Sequence, residues 1–271
     1  MINLQSFADL ARGYFTSRSF VNPRYPAVVS YATAVDSATN GVLLEGFSNW
    51  CHRTAGRPPS EQAPRWDRLI IEQRVPSLDI DESSFPENHA EAVRMMRALE
   101  EDRSLEIERV DEFLVEDFLG YVSRFLASRD TEVLTGSRVW YPGAERDAEE
   151  FLEFIIRGIR RRRGMYLRGL GYSSVVSYID GYDAGTEGRL LQGFDTFLRS
   201  QDLCDSEAAH WSEIIFDIVL SGVRFEKDNA VLDDVARDDA FTETTFILLH
   251  EFLSSRPRRE WWGRWGSPAR Q

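Results

Sequence analysis

Apolar residues recur every three to four positions along most of the chain, and the stripes they draw predict helices. Phe7, Leu10 and Phe15 mark a first amphipathic helix over 5–17, stopped by Pro23 and Pro26. From Val28 the stripe passes through Tyr31, Val35, Leu43, Leu44, Phe47 and Trp50 to about residue 54, as one long helix or two short ones. Gly56, Pro58 and Pro59 read as a loop, and Trp66, Leu69, Ile70 and Gln73 suggest a third helix ending before Pro76. Further stripes cover 86–103, with Val93, Met96 and Leu99 inward, then 110–129, 147–169 with Phe151, Phe154, Ile155 and Ile159 on one face, 175–194, 211–222 and 237–256. Nowhere does the pattern alternate with period two for long enough to build a sheet. The expected fold class is all-α.

The stripes repeat. VVSYATAVDSATNGVLLEGF (28–47) and VVSYIDGYDAGTEGRLLQGF (175–194) share eleven of twenty residues at an offset of 147, among them Tyr31/Tyr178, Asp36/Asp183, Thr39/Thr186, Gly41/Gly188 and Gly46/Gly193. Trp66 matches Trp211 at offset 145. The helix at 110–129 matches 237–256 at offset 127, the change measuring about twenty extra residues in the first copy. Self-similarity at a fixed period points to architecture before any propensity does. It predicts two tandem, pseudo-symmetric units of about four helices each: 1–130 with an acidic insertion at about 79–105, a connector at 131–145, a second unit at 146–256, and a Trp- and Arg-rich tail at 257–271. Gly181, Gly185 and Gly188, matched by Ala34, Ala38 and Gly41, place small side chains on one helix face. Such a face suits a close helix crossing, within one unit or between the two.

Composition narrows the function. With 42% hydrophobic and 12% aromatic residues in 271, two cores can be filled and a wholly disordered chain is excluded. Net charge is −13, which argues against nucleic acid, since a surface that tracks phosphates needs a basic stripe. Residues 79–117 hold fourteen Asp or Glu against four Arg. No apolar run approaches the roughly 20 residues of a membrane span, and residues 1–13 lack the apolar core of a signal peptide, so a cytoplasmic location is expected. Lys227 is the only lysine, a usage that hints at a GC-rich bacterial source. Cys51 and Cys204 are not equivalent in the two copies and read as reduced thiols.

Chemistry-bearing patterns are few. His52, His89, His210 and His250 have no His or Cys partner at metal spacing, so no metal site is expected. There is no GxxxxGK[ST] loop for phosphate and no GxSxG nucleophile, and no cofactor or catalytic residue is assigned. Arg160–Arg163 are expected to pair with acidic segments rather than bind phosphate. The one carboxylate repeated with its surroundings is Asp36/Asp183, beside Tyr31/Tyr178 and Thr39/Thr186. Buried, it predicts a hydrogen-bonded network, because a buried polar group without partners is costly.

RRRGMYLRG (161–169), SYIDGY (177–182), HWSEIIF (210–216) and AFTETTFILLHEFL (240–253) together resemble small bacterial all-helical proteins similar to the immunity proteins of toxin systems. Those begin near Arg-Pro-Gly-Met-Tyr-Leu-Gly and continue with Phe-x-x-Gly-Tyr. Arg163 stands here in place of that proline, and the first copy reads SRSFVNP instead. The resemblance covers nearly all of the second unit and about half of the first. It implies a non-enzymatic protein that neutralises a partner.

The expected function is therefore a protein-binding module that meets a basic toxin or effector through acidic residues. The candidates are Glu100, Glu101, Asp102, Glu106, Glu108, Asp111 and Glu112, with Asp233, Asp234, Asp238 and Asp239 as a lesser echo. The alternative, from another class, is an enzyme or small-ligand protein using a pocket between the units around Tyr31, Asp36, Tyr178 and Asp183. The Trp261, Trp262 and Trp265 tail reads as a docked segment or a partner hook.

Overall fold

A computed structural model describes residues 7–17, 24–39, 41, 43–56, 66–67, 69–70, 104–129, 159–160, 167, 171–203, 205–225 and 234–256. Among these residues all regular structure is helical. We number the helices α1 (Phe7–Ser17), α2 (Tyr25–Ala38), α3 (Phe47–Thr54), α4 (Ser104–Ala127), α5 (Tyr172–Gly185), α6 (Phe194–Ser200), α7 (Trp211–Phe225) and α8 (Asp234–Ser255). The expected helix at 86–103, most of that at 147–169, the connector and the tail lie outside the described residues.

Two helices form the centre. α2 buries Tyr25, Ala27, Val28, Val29, Ser30, Tyr31, Ala32, Ala34 and Val35, and α5 buries the equivalent run from Tyr172 to Gly181 with little break. A helix apolar all round must be enclosed, and these two pack chiefly against each other. α1 and α4 close around α2, and α4 also covers α3. α8 closes around α5, and α6 and α7 pack together and on α8. Pro26 in the first turn of α2 sits where the helix has no use for a backbone N–H.

The crossing of α2 and α5 depends on small residues. A Cβ added at Gly181 would lie 3.0 Å from both the Cα and the carbonyl carbon of Tyr31, and closer still to its oxygen. One added at Gly185 would collide with the Ala38 Cβ and lie 3.3 Å from the Val35 oxygen. Gly181 faces Tyr31 and Gly185 faces Val35 and Ala38, so residue numbers rise together and the helices run parallel. The expected close approach thus falls between the repeated segments. Its membership differs from the sequence reading: Gly41 and Gly188 lie beyond the helix ends in turns with φ of 79° and 74°. The helical stripe continues backward instead, one turn at a time, to the buried Ser30 and Ser177.

Of the two readings of the stripe from Val28 to residue 54, one long helix or two short ones, the structure has the second, α2 and α3; α4 starts before its expected first residue, and α7 runs past its expected last one. Leu10, expected inward, is 48% exposed, because the buried side of α1 is Phe7, Ala8, Ala11 and Phe15, and Leu10 lies about 60° of helical rotation outside Phe7, the near edge of that face.

Around the centre the same interactions recur at the sequence offsets. The Tyr25 hydroxyl donates to the Asp67 carbonyl at 2.8 Å, and the Tyr172 hydroxyl donates to that of Ser212 at 3.1 Å. Phe47 meets Trp66 and Phe125, with ring centroids 5.3 and 5.2 Å apart. Phe194 meets Trp211 and Phe252 at 5.7 and 5.0 Å. Arg12 pairs with Glu116 on α4, and Arg160 pairs with the matching Glu243 on α8. Arg160 thus has the intramolecular acidic partner expected of the arginine run, whose other members lie outside the described residues.

Candidate functional site

The most strongly repeated residues build a turn. Each central helix ends at a threonine whose N–H and hydroxyl bond back to the last turn, and the next glycine returns its N–H to the aspartate carbonyl: Gly41 to Asp36 at 2.7 Å, Gly188 to Asp183 at 2.8 Å. Left-handed backbone at these glycines carries no Cβ penalty. The chain then curls over the helix end, and the aspartate Oδ1 accepts the N–H of Leu44 at 2.7 Å or of Leu191 at 2.8 Å. Gly46 and Gly193, at φ of 78° and 83°, start α3 and α6 and drive Phe47 and Phe194 into the core. Every repeated residue here is explained by the turn itself. The exposed position Glu45 becomes Gln192 in the other turn.

Because Ala38 meets Gly185, the C-terminal ends of α2 and α5 lie together. Two negative dipole ends and two carboxylates share that end of the molecule. Arginines from the last helices answer them. Arg256 donates to the carbonyls of Arg189, at 3.0 Å, and of Gln192. Arg129 approaches Glu45 at 3.6 Å, and each guanidinium also lies over its own Phe252 or Phe125 ring.

Burial raises the pKa of both Asp36 and Asp183, against the lowering effect of the leucine N–H bonds and the arginines. A raised folded-state pKa means the fold holds that proton more tightly than the unfolded chain does. The stability from these groups is full below the ordinary carboxylate value, about 3.9, and is lost as pH rises through the folded-state value. An Asp36→Asn, Asp183→Asn double variant keeps the carbonyl acceptor and removes the titration. Its stability relative to the unaltered protein is expected to improve between pH 3 and pH 7 in urea unfolding. A relative loss over that range would show that the bonds and arginines outweigh burial.

Tyr31 and Tyr178 are both buried. Tyr31 is covered by α1, stacked on Tyr14 at a centroid distance of 4.6 Å and flanked by Phe7 and Phe15. The aspartates of the expected pocket therefore point into their own turns, and Tyr31 into an aromatic cluster.

A carboxylate with no counterpart in the other copy makes the most concentrated polar cluster among the described residues. Asp180, 7% exposed in the middle of α5, accepts the Tyr14 hydroxyl at 2.6 Å and the Trp211 Nε1–H at 2.8 Å, and its Oδ1 lies 3.6 Å from His210 Nε2. Three helices meet at this one side chain. The equivalent residue in α2 is Thr33, whose hydroxyl returns to its own backbone at Val29. The signal in the sequence was a charged residue inside the otherwise apolar run VVSYIDGY, unmatched in the other copy.

Asp180, His210 and Ser212 follow one another in the order of a hydrolase triad, with His210 Nδ1 2.7 Å from Ser212 Oγ. The surroundings give them another task. Ser212 is buried at 1% exposure, where no substrate reaches it, and Nδ1 accepts the Ser212 backbone N–H at 3.3 Å while the His210 carbonyl takes the N–H groups of Glu213 and Ile214. His210 is the N-terminal cap of α7. Arg199 holds the preceding loop through the Ser206 carbonyl at 3.0 Å.

Comparison with protein-family models, with curated proteins and with solved structures found no match.

The acidic candidates are described only in part. Glu100, Glu101, Asp102 and Asp233 lie outside the described residues, while the backbones of Glu106, Glu108 and Asp111 are in α4 and that of Asp234 opens α8. Glu112 is exposed on α4 beside half-exposed Phe113, and Asp238 and Asp239 are partly buried on α8. Among the described residues no group of three His, Cys, Asp or Glu side chains could hold a metal ion, and no helix is long and apolar enough to cross a membrane.

Cys51 is a free, buried thiol whose pKa burial pushes up to about 12. In a Cys204→Ser background it is expected to react with iodoacetamide at pH 8 at least about a hundredfold more slowly than a small free thiol, because the thiolate is the nucleophile. Labelling at the free-thiol rate would contradict its burial.

Proposed function

We propose that the protein is a non-enzymatic module that binds a basic protein partner through its acidic surface, as an immunity or regulatory protein neutralising a toxin domain or effector does. The observation that carries this reading is the charge of −13 combined with α4, where Glu112 and Phe113 are exposed side by side, next to the Glu116 that pairs with Arg12. An aromatic ring within a carboxylate frame offers a partner an apolar anchor, and the field around it speeds encounter with a cation-rich surface. The Asp180 cluster accords with the same reading, since its carboxylate is engaged in joining α1 and α7 to α5.

The test uses a partner recovered by pull-down from source-cell lysate, with the association rate measured at low and high salt. The rate is expected to fall about tenfold or more between roughly 50 and 300 mM salt. Charge reversal at Glu100, Glu101, Asp102 and Glu112 is expected to slow association similarly while leaving the helical circular dichroism unchanged. Association indifferent to salt and to these reversals overturns the proposal.

A further inference from the structure

We draw no further inference here: the strongest candidate, the Asp180, His210 and Ser212 side-chain cluster where α5 meets the start of α7, belongs to the site already described, with its serine hydroxyl buried and nothing in the structure that points to a ligand.

Discussion

Replacing Gly181 by alanine is expected to destabilise the protein by about 3 kcal/mol, lowering its melting temperature by roughly 5–10 °C. One methyl group is the whole change, yet the atoms it meets are the backbone of Tyr31 in α2. A crowded side chain can rotate away. A helix backbone cannot, so the two central helices must separate, and the packing of every element that closes around them loosens. Gly120 in α4 supplies the contrast, since a Cβ there meets nothing within 4 Å. Gly120→Ala is expected to gain up to about 1 kcal/mol from helix propensity alone. Thermal unfolding of the two variants side by side decides the matter. Equal behaviour of the two would mean that the close crossing of α2 and α5 is wrong.

Asp180→Ala is expected to cost about 3–5 kcal/mol, comparable to breaking a buried ionic contact, because it strands a buried and a partly buried donor at once. The Tyr14 hydroxyl and the Trp211 indole N–H both end on this carboxylate, with His210 beside it. Asp180→Asn keeps one acceptor and should lose less. Tyr14→Phe removes a single donor and should cost about 1–3 kcal/mol, with strong non-additivity in the Asp180→Ala, Tyr14→Phe double variant. Urea unfolding of the four proteins completes the cycle. Additive losses would mean that Tyr14 and Asp180 do not interact.

The residues on which these two variants act were legible in the sequence to different degrees. Gly181 and Gly185 stood out because small residues at a spacing of four share a helix face at any crossing, wherever the partner helix comes from. That the partner is α2, running parallel, follows only from which backbone atoms come near. Gly188 and Gly41 fitted the same spacing and proved to be turn residues, since a glycine that relieves crowding and one that permits positive φ look alike in a one-dimensional pattern. Asp36 and Asp183 recur, and their recurrence reflects the turn they close. Asp180 does not recur, Thr33 standing at its place in the other copy, so the repeat does not mark it.

By itself the sequence determined that this chain is helical and which faces of most helices turn inward, because the period of 3.6 is a local property that burial leaves in the order of residues. It also marked 28–47 and 175–194 as alike, and the same bonds are found in both. The tertiary structure alone decided that α2 and α5 lie side by side in the same sense, that their ends share one arginine-neutralised corner, and that Asp180 joins Tyr14 to Trp211. Those are contacts between residues up to 166 positions apart, and no local pattern encodes a distance that exists only after the chain has folded.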